Sequence, residues 1–128
     1  MEKHIMQSRV VLLIVLLIGL MGCTESVDIQ LEPEVRMYFS DKPAQPIVIN
    51  DKDEVYVSLN TWLNENKSDW YATSGRYPGG VYVKSGDRGI QVTQTKVIIY
   101  STTTKEPRAI YIHDLKRGEL SEIVKLVK

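Results

Sequence analysis

Oxygen ligands crowd the stretch Asn50-Asp51-Lys52-Asp53-Glu54, where a divalent cation would first be sought. A calcium loop of the EF-hand type needs glycine at its sixth position and a carboxylate at its twelfth. Counted from Asp51, those places hold Tyr56 and Trp62, so the stretch reads as a solvated turn. His113 stands beside Asp114, but neighbours on a strand point to opposite faces and adjacency alone makes no dyad. The other histidine is His4, far back in the leading segment, so a zinc site would have to be assembled from oxygen ligands. Ser58 and Ser74 lie outside any GxSxG elbow. Two carboxylates meeting in space could cleave a glycoside, yet no spacing here selects a pair. The sequence therefore points to no catalytic set, no metal and no cofactor. A binding surface is the better prospect. Trp70, Tyr71, Arg76 and Tyr77 fall within eight positions and run into Pro78-Gly79-Gly80. Turned outward, the three aromatic rings would stack on sugar or anchor a protein partner; turned inward, they would be core.

Cys23 carries different chemistry. It is the single cysteine of 128 residues and has no intrachain partner for a disulfide. Lys3 and Arg9 precede an apolar run from Val10 to Met21, which ends at Gly22-Cys23. Leu20-Met21-Gly22-Cys23 resembles the lipobox of bacterial lipoproteins, with Met21 larger than the residue more common at that place. About 17 to 25 apolar residues are needed to span a bilayer as a helix, so this run is too short. The resemblance implies cleavage before Cys23, acylation of its thiol, and a lipid-anchored protein on the extracytoplasmic face of the cell membrane. Two acyl chains hold a protein stably where one holds it reversibly.

These residues need a scaffold. Residues 1–22 are expected to be the signal peptide, 23–34 the acylated cysteine and a polar tether, and 35–128 one small β-rich domain. Residues 35–39 and 47–49 read as strands, and Glu54 to Leu59 alternates with period two, giving a hairpin around Asn50–Asp53. Asn60 is placed to cap a short helix through Asn66 that buries Trp62 and Leu63. Residues 70–72 form another strand, and 74–80 a loop rich in glycine and proline. Strands follow at 81–84, 90–93, 96–100 and 108–113, joined by short turns in the manner of an antiparallel meander. Residues 119–128 fit a helix with Leu120, Ile123, Val124 and Val127 on one face, and an edge strand as the alternative. The expected class is mainly β, a meander forming a barrel or sandwich, with α+β as the runner-up.

Charge narrows the partners. The chain carries 16 basic and 16 acidic side chains. Loss of Lys3, Arg9 and Glu2 with the signal leaves 14 basic and 15 acidic. Binding a polyanion calls for a concentration of basic residues, and none stands out, so nucleic acid is not expected. The expected partners are membrane lipid, through acylated Cys23, and an envelope protein. The expected function is a non-catalytic, membrane-tethered interaction or accessory module, with a cell-wall glycan-binding module and a small envelope hydrolase as alternatives.

Overall fold

The structure, a computed structural model, describes residues 24–103 and 105–126, and for Lys42 and Pro43 the backbone alone. The signal segment, Cys23, Val127 and Lys128 lie outside the described residues. Eight strands form one antiparallel sheet: β1 (Thr24–Glu25), β2 (Glu34–Phe39), β3 (Lys42–Asn50), β4 (Trp70–Ala72), β5 (Val81–Ser85), β6 (Arg88–Val92), β7 (Lys96–Ser101) and β8 (Arg108–Asp114). Their spatial order is β1-β4-β8-β7-β6-β5-β2-β3. Strands β5 to β8 are the meander that the turn spacing announced. The ends of the order, β1 and β3, do not pair with each other, so the sheet is open and not a barrel.

Period-two alternation divides the sheet into two faces. Met37, Val83, Ile90 and Ile99 lie in one cross-strand row, and Val81, Val92 and Val97 in the next. This face is covered by the helix α1 (Glu54–Glu65), which buries Tyr56, Leu59, Trp62 and Leu63. The helix α2 (Ser121–Val124) adds Ile123, which is fully buried. The opposite face carries Tyr38, Tyr82, Gln91, Ile98 and Ile112 in one row and Tyr100 in the next.

Two expectations are corrected here. Residues 54–59 are not a strand but the first half of α1, and residues 47–49 pair with β2 instead. Alternation placed Val55, Val57 and Leu59 together, yet Val57 is exposed. The residues that are buried recur at 56, 59 and 62–63, the spacing of a helix face. Asn50 and Asp53 shape the approach, since Lys52 N–H donates to Asn50 Oδ1 at 2.9 Å and Asn50 N–H to Asp53 Oδ2 at 2.8 Å. The helix therefore begins six residues earlier than Asn60.

The second correction concerns the tether. Thr24 and Glu25 pair with Tyr71 and Trp70 at the sheet edge, and Val27, Ile29 and Leu31 are buried in the main core. Tyr56 fixes the end of this segment by donating to the carbonyls of Leu31 and Glu32, at 3.2 and 2.8 Å. Residues 24–33 belong to the domain. The α-helical reading of the C-terminal segment holds for a single turn, with Ile123 inward.

Candidate functional site: a tyrosine pocket on the open face

The four residues of the sequence-derived surface are not brought together. Trp70 has no exposed surface; it lies on the covered side, edge-on to Trp62 and His113 with ring centroids 5.8 and 5.0 Å away. Its indole N–H donates to the Asn66 carbonyl at 2.6 Å. One position further along the strand, Tyr71 points the other way and is 47% exposed. Only Arg76 and Tyr77 share a site. His113 Nδ1 lies 2.7 Å from the carbonyl oxygen of Asp114, which can only accept, so Nδ1 carries the proton.

Arg76 and Tyr77 border a pocket of about 410 Å³ on the open face. Tyr38, Tyr82, Tyr100 and Gln91 come to it from four adjacent strands, β2, β5, β6 and β7, while Gly79, Gly80 and Pro107 close it from loops. Gln91 organises the wall. Its amide nitrogen donates to the carbonyls of Tyr77 and Gly79, both at 2.7 Å, and its oxygen accepts from the Tyr100 hydroxyl at 2.6 Å. Both its N–H donors are thus spent on holding the 73–80 loop down onto the sheet, while its oxygen ties it to Tyr100 on β7. The loop adds its own brace, a hydroxyl contact between Thr73 and Tyr77. Gly80 has φ +79°, and a Cβ there would run into the carbonyl of Val92.

Tyr82 is the centre of the pocket. Its ring meets Tyr38 and Tyr100 edge-on, at 6.2 and 5.7 Å, and its hydroxyl lies where a side chain on Gly89 would be. That hydroxyl is buried and, among the described residues, has no hydrogen-bond partner. Burial first, then the neighbouring Tyr100 and Tyr38, pushes its pKa up to about 12. Burial likewise raises Tyr100. Both phenols therefore stay protonated near neutral pH, and Tyr100 donates to Gln91.

No family model, curated protein or solved structure matches this chain.

Tyr38, Tyr82, Gln91 and Tyr100 were missing from the sequence-derived surface. A signal for Tyr82 was present: in Val81-Tyr82-Val83, inward valines force the tyrosine to the other face. The side chains lining the pocket include no Asp, Glu, His or Cys among the described residues. Among the described residues, no three such groups converge as metal ligands. A larger hollow of about 610 Å³ lies between the Gln94-Thr95 turn and α2. Charged Arg117, Glu119 and Lys125 line it, and no tyrosine or tryptophan does among the described residues.

Proposed function

We propose that this protein is a lipid-anchored extracytoplasmic module that binds an envelope protein and performs no chemistry of its own. The observation that carries the reading is the tyrosine pocket, a preshaped aromatic hollow on the sheet whose polar groups are hydroxyls, amides and the Arg76 guanidinium. Tyrosine gives a large contact area at low entropic cost and is favoured where proteins meet. The surface continues past the pocket. Val48 on β3 stands on the same face as Tyr38, opposite Arg36, and is 56% exposed. Strand β3 also ends the sheet, so its outer backbone groups are open to a partner strand. Pro46 precedes the regular pairing of Ile47 to Asn50, which confines such an addition to a short stretch.

Wall glycan is the second reading, favoured by one observation: the tyrosine side chains that line the hollow suit the ring face of a sugar. An in-cell crosslinking pull-down separates the two. The wild-type protein is compared with Tyr38→Ala, Val48→Lys and a mislocalised Cys23→Ser control. A protein captured by the wild type and lost in the two surface variants supports the leading reading. No captured protein, together with Tyr38-dependent sedimentation on purified wall, supports the glycan reading. Failure of both assays rejects the pocket as a ligand site.

A further inference from the structure

We infer that the domain stands directly on the bilayer, with the sheet end that holds the start of β1, the end of β7 and the start of β8 pressed against the headgroups. This inference rests on the lipid-anchor reading of Cys23. It follows from where the chain outside the described residues ends. Cys23 is joined to Thr24, and Thr24 is already paired to Tyr71 in the sheet. One residue advances an extended chain by about 3.3–3.8 Å. The headgroup layer on each side of the hydrocarbon core is roughly 5–8 Å thick. An acylated Cys23 would therefore draw the start of β1 into that layer, with no intervening tether to let the domain turn away.

Strand direction then selects which end faces the lipid. Thr24 pairs with Tyr71, Tyr71 with Ile112, and Ala72 with Tyr111. A residue preceding Thr24 thus leaves the sheet toward Arg108, at the end where Ser101 and Arg88 also lie. The opposite end carries the Gln94-Thr95 turn. Exposed Arg88, Lys105 and Arg108 lie at the anchored end, and Arg76 is held there by Glu106 at 2.8 Å. Against them stand Asp87, Asp28, which borders the same hollow as Arg88 but pairs with Lys67, and Glu25, which is engaged by the Tyr111 hydroxyl. The same sheet end changes sign across its width. At the far corner, Glu32, Glu34, Asp51, Asp53 and Glu54 outnumber Arg36, Lys52 and Lys84 around β2 and β3. Seven strand spacings separate β1 from β3, about 33 Å, several times the screening length at physiological salt. Anionic headgroups would attract the corner near the anchor and repel the distant one. The domain therefore tilts, lifting β3 and Val48 away from the membrane, where a partner reaches them.

The test uses the acylated full-length protein in phosphatidylethanolamine–phosphatidylglycerol vesicles. Acylation blocks the native thiol, so Thr103→Cys at the anchored end and Gln94→Cys at the other each take one nitroxide. A nickel-chelating lipid then reports proximity. Residues 96–101 separate the two positions by roughly 20 Å, so the label at 103 should relax several-fold faster than that at 94. A twelve-residue Gly/Ser insertion between Cys23 and Thr24 reaches about 17–21 Å and should level the two. Arg88→Glu with Arg108→Glu should reduce the contrast while flotation persists. Equal relaxation in protein that floats with the vesicles overturns the orientation and leaves the anchor standing. Protein that does not float overturns the anchor reading itself.

Discussion

The two faces of the sheet use the same strands for opposite ends. On the covered face, α1 and residues 26–33 pack with Val35, Met37, Val83, Ile90 and Ile99 in one core, and the polar atoms of Tyr56, Trp70 and Ser85 that enter it are hydrogen-bonded. Those at the rim are matched: Trp62 N–H donates to Glu119 Oε2 at 3.0 Å, and the other Glu119 oxygen accepts from Lys116 N–H at 2.7 Å. On the open face, a small cluster of Ile98, Tyr100 and Ala109 is roofed by one loop, pinned by Gln91, beside a buried hydroxyl left unmatched. The first arrangement is what stability asks for. The second leaves a hollow and one buried hydroxyl without a partner among the described residues, features that close packing alone does not call for.

If the covered face carries the stability, Trp70→Ala has the largest effect. It empties a fully buried site and removes one ring of the mutual Trp62–Trp70–His113 cluster. A loss of about 3–5 kcal/mol is expected in urea unfolding. Gln91→Leu comes next, on the open face. It strands the carbonyls of Tyr77 and Gly79 and the hydroxyl of Tyr100, at about 1–3 kcal/mol. Limited proteolysis should then cut within residues 74–79 while the meander stays protected. A loss as large as that for Trp70 would abolish the distinction between the faces.

Tyr82 sharpens the comparison by pH. Its pKa is about 12 in the fold against 10.0 ordinarily, so the unfolded chain gives up its proton first. The contribution of the neutral phenol is complete below pH 10 and is lost as pH rises toward 12. Tyr82→Phe should flatten that part of the pH–stability curve. At neutral pH it should leave stability unchanged or raise it by up to about 1 kcal/mol, since no hydrogen bond is removed. A clear loss at pH 7 would show that the hydroxyl has a partner within the fold. The smallest effect belongs to Arg76→Ala. Its ion pair with Glu106 is well exposed on both sides, and thermal unfolding should register less than ~0.5 kcal/mol.

The sheet was legible where contacts are local. Val81-Tyr82-Val83, the Gln94-Thr95 turn and Lys96 to Tyr100 all declare themselves through alternation and short turns, because each strand pairs with its neighbour in sequence. The buried N-terminal segment was legible as well, and went unread: Val27, Ile29 and Leu31 alternate with Asp28 and Gln30. That signal was outweighed by the polar company of these residues and by their place after Cys23. The candidate site was half legible. Arg76 and Tyr77 belong to its loop, whereas Tyr38, Gln91 and Tyr100 reach it from strands that adjoin only in the folded sheet.

By itself the sequence determined the antiparallel meander from β5 to β8, the turns between its strands, and the face on which Tyr82 stands. Side-chain alternation and turn chemistry act over a few residues and need no distant partner. Tertiary structure decided the rest. It made residues 54–59 helical, because four side chains at helical spacing found one apolar face to cover. It left the sheet open, because β1 and β3 end opposite edges with the other six strands between them. It decided that Trp70 and not Tyr71 faces the core, and it drew residues 24–33 into that core. Each of these outcomes depends on burial against residues tens of positions away, and burial is a property of the assembled surfaces, not of any one segment.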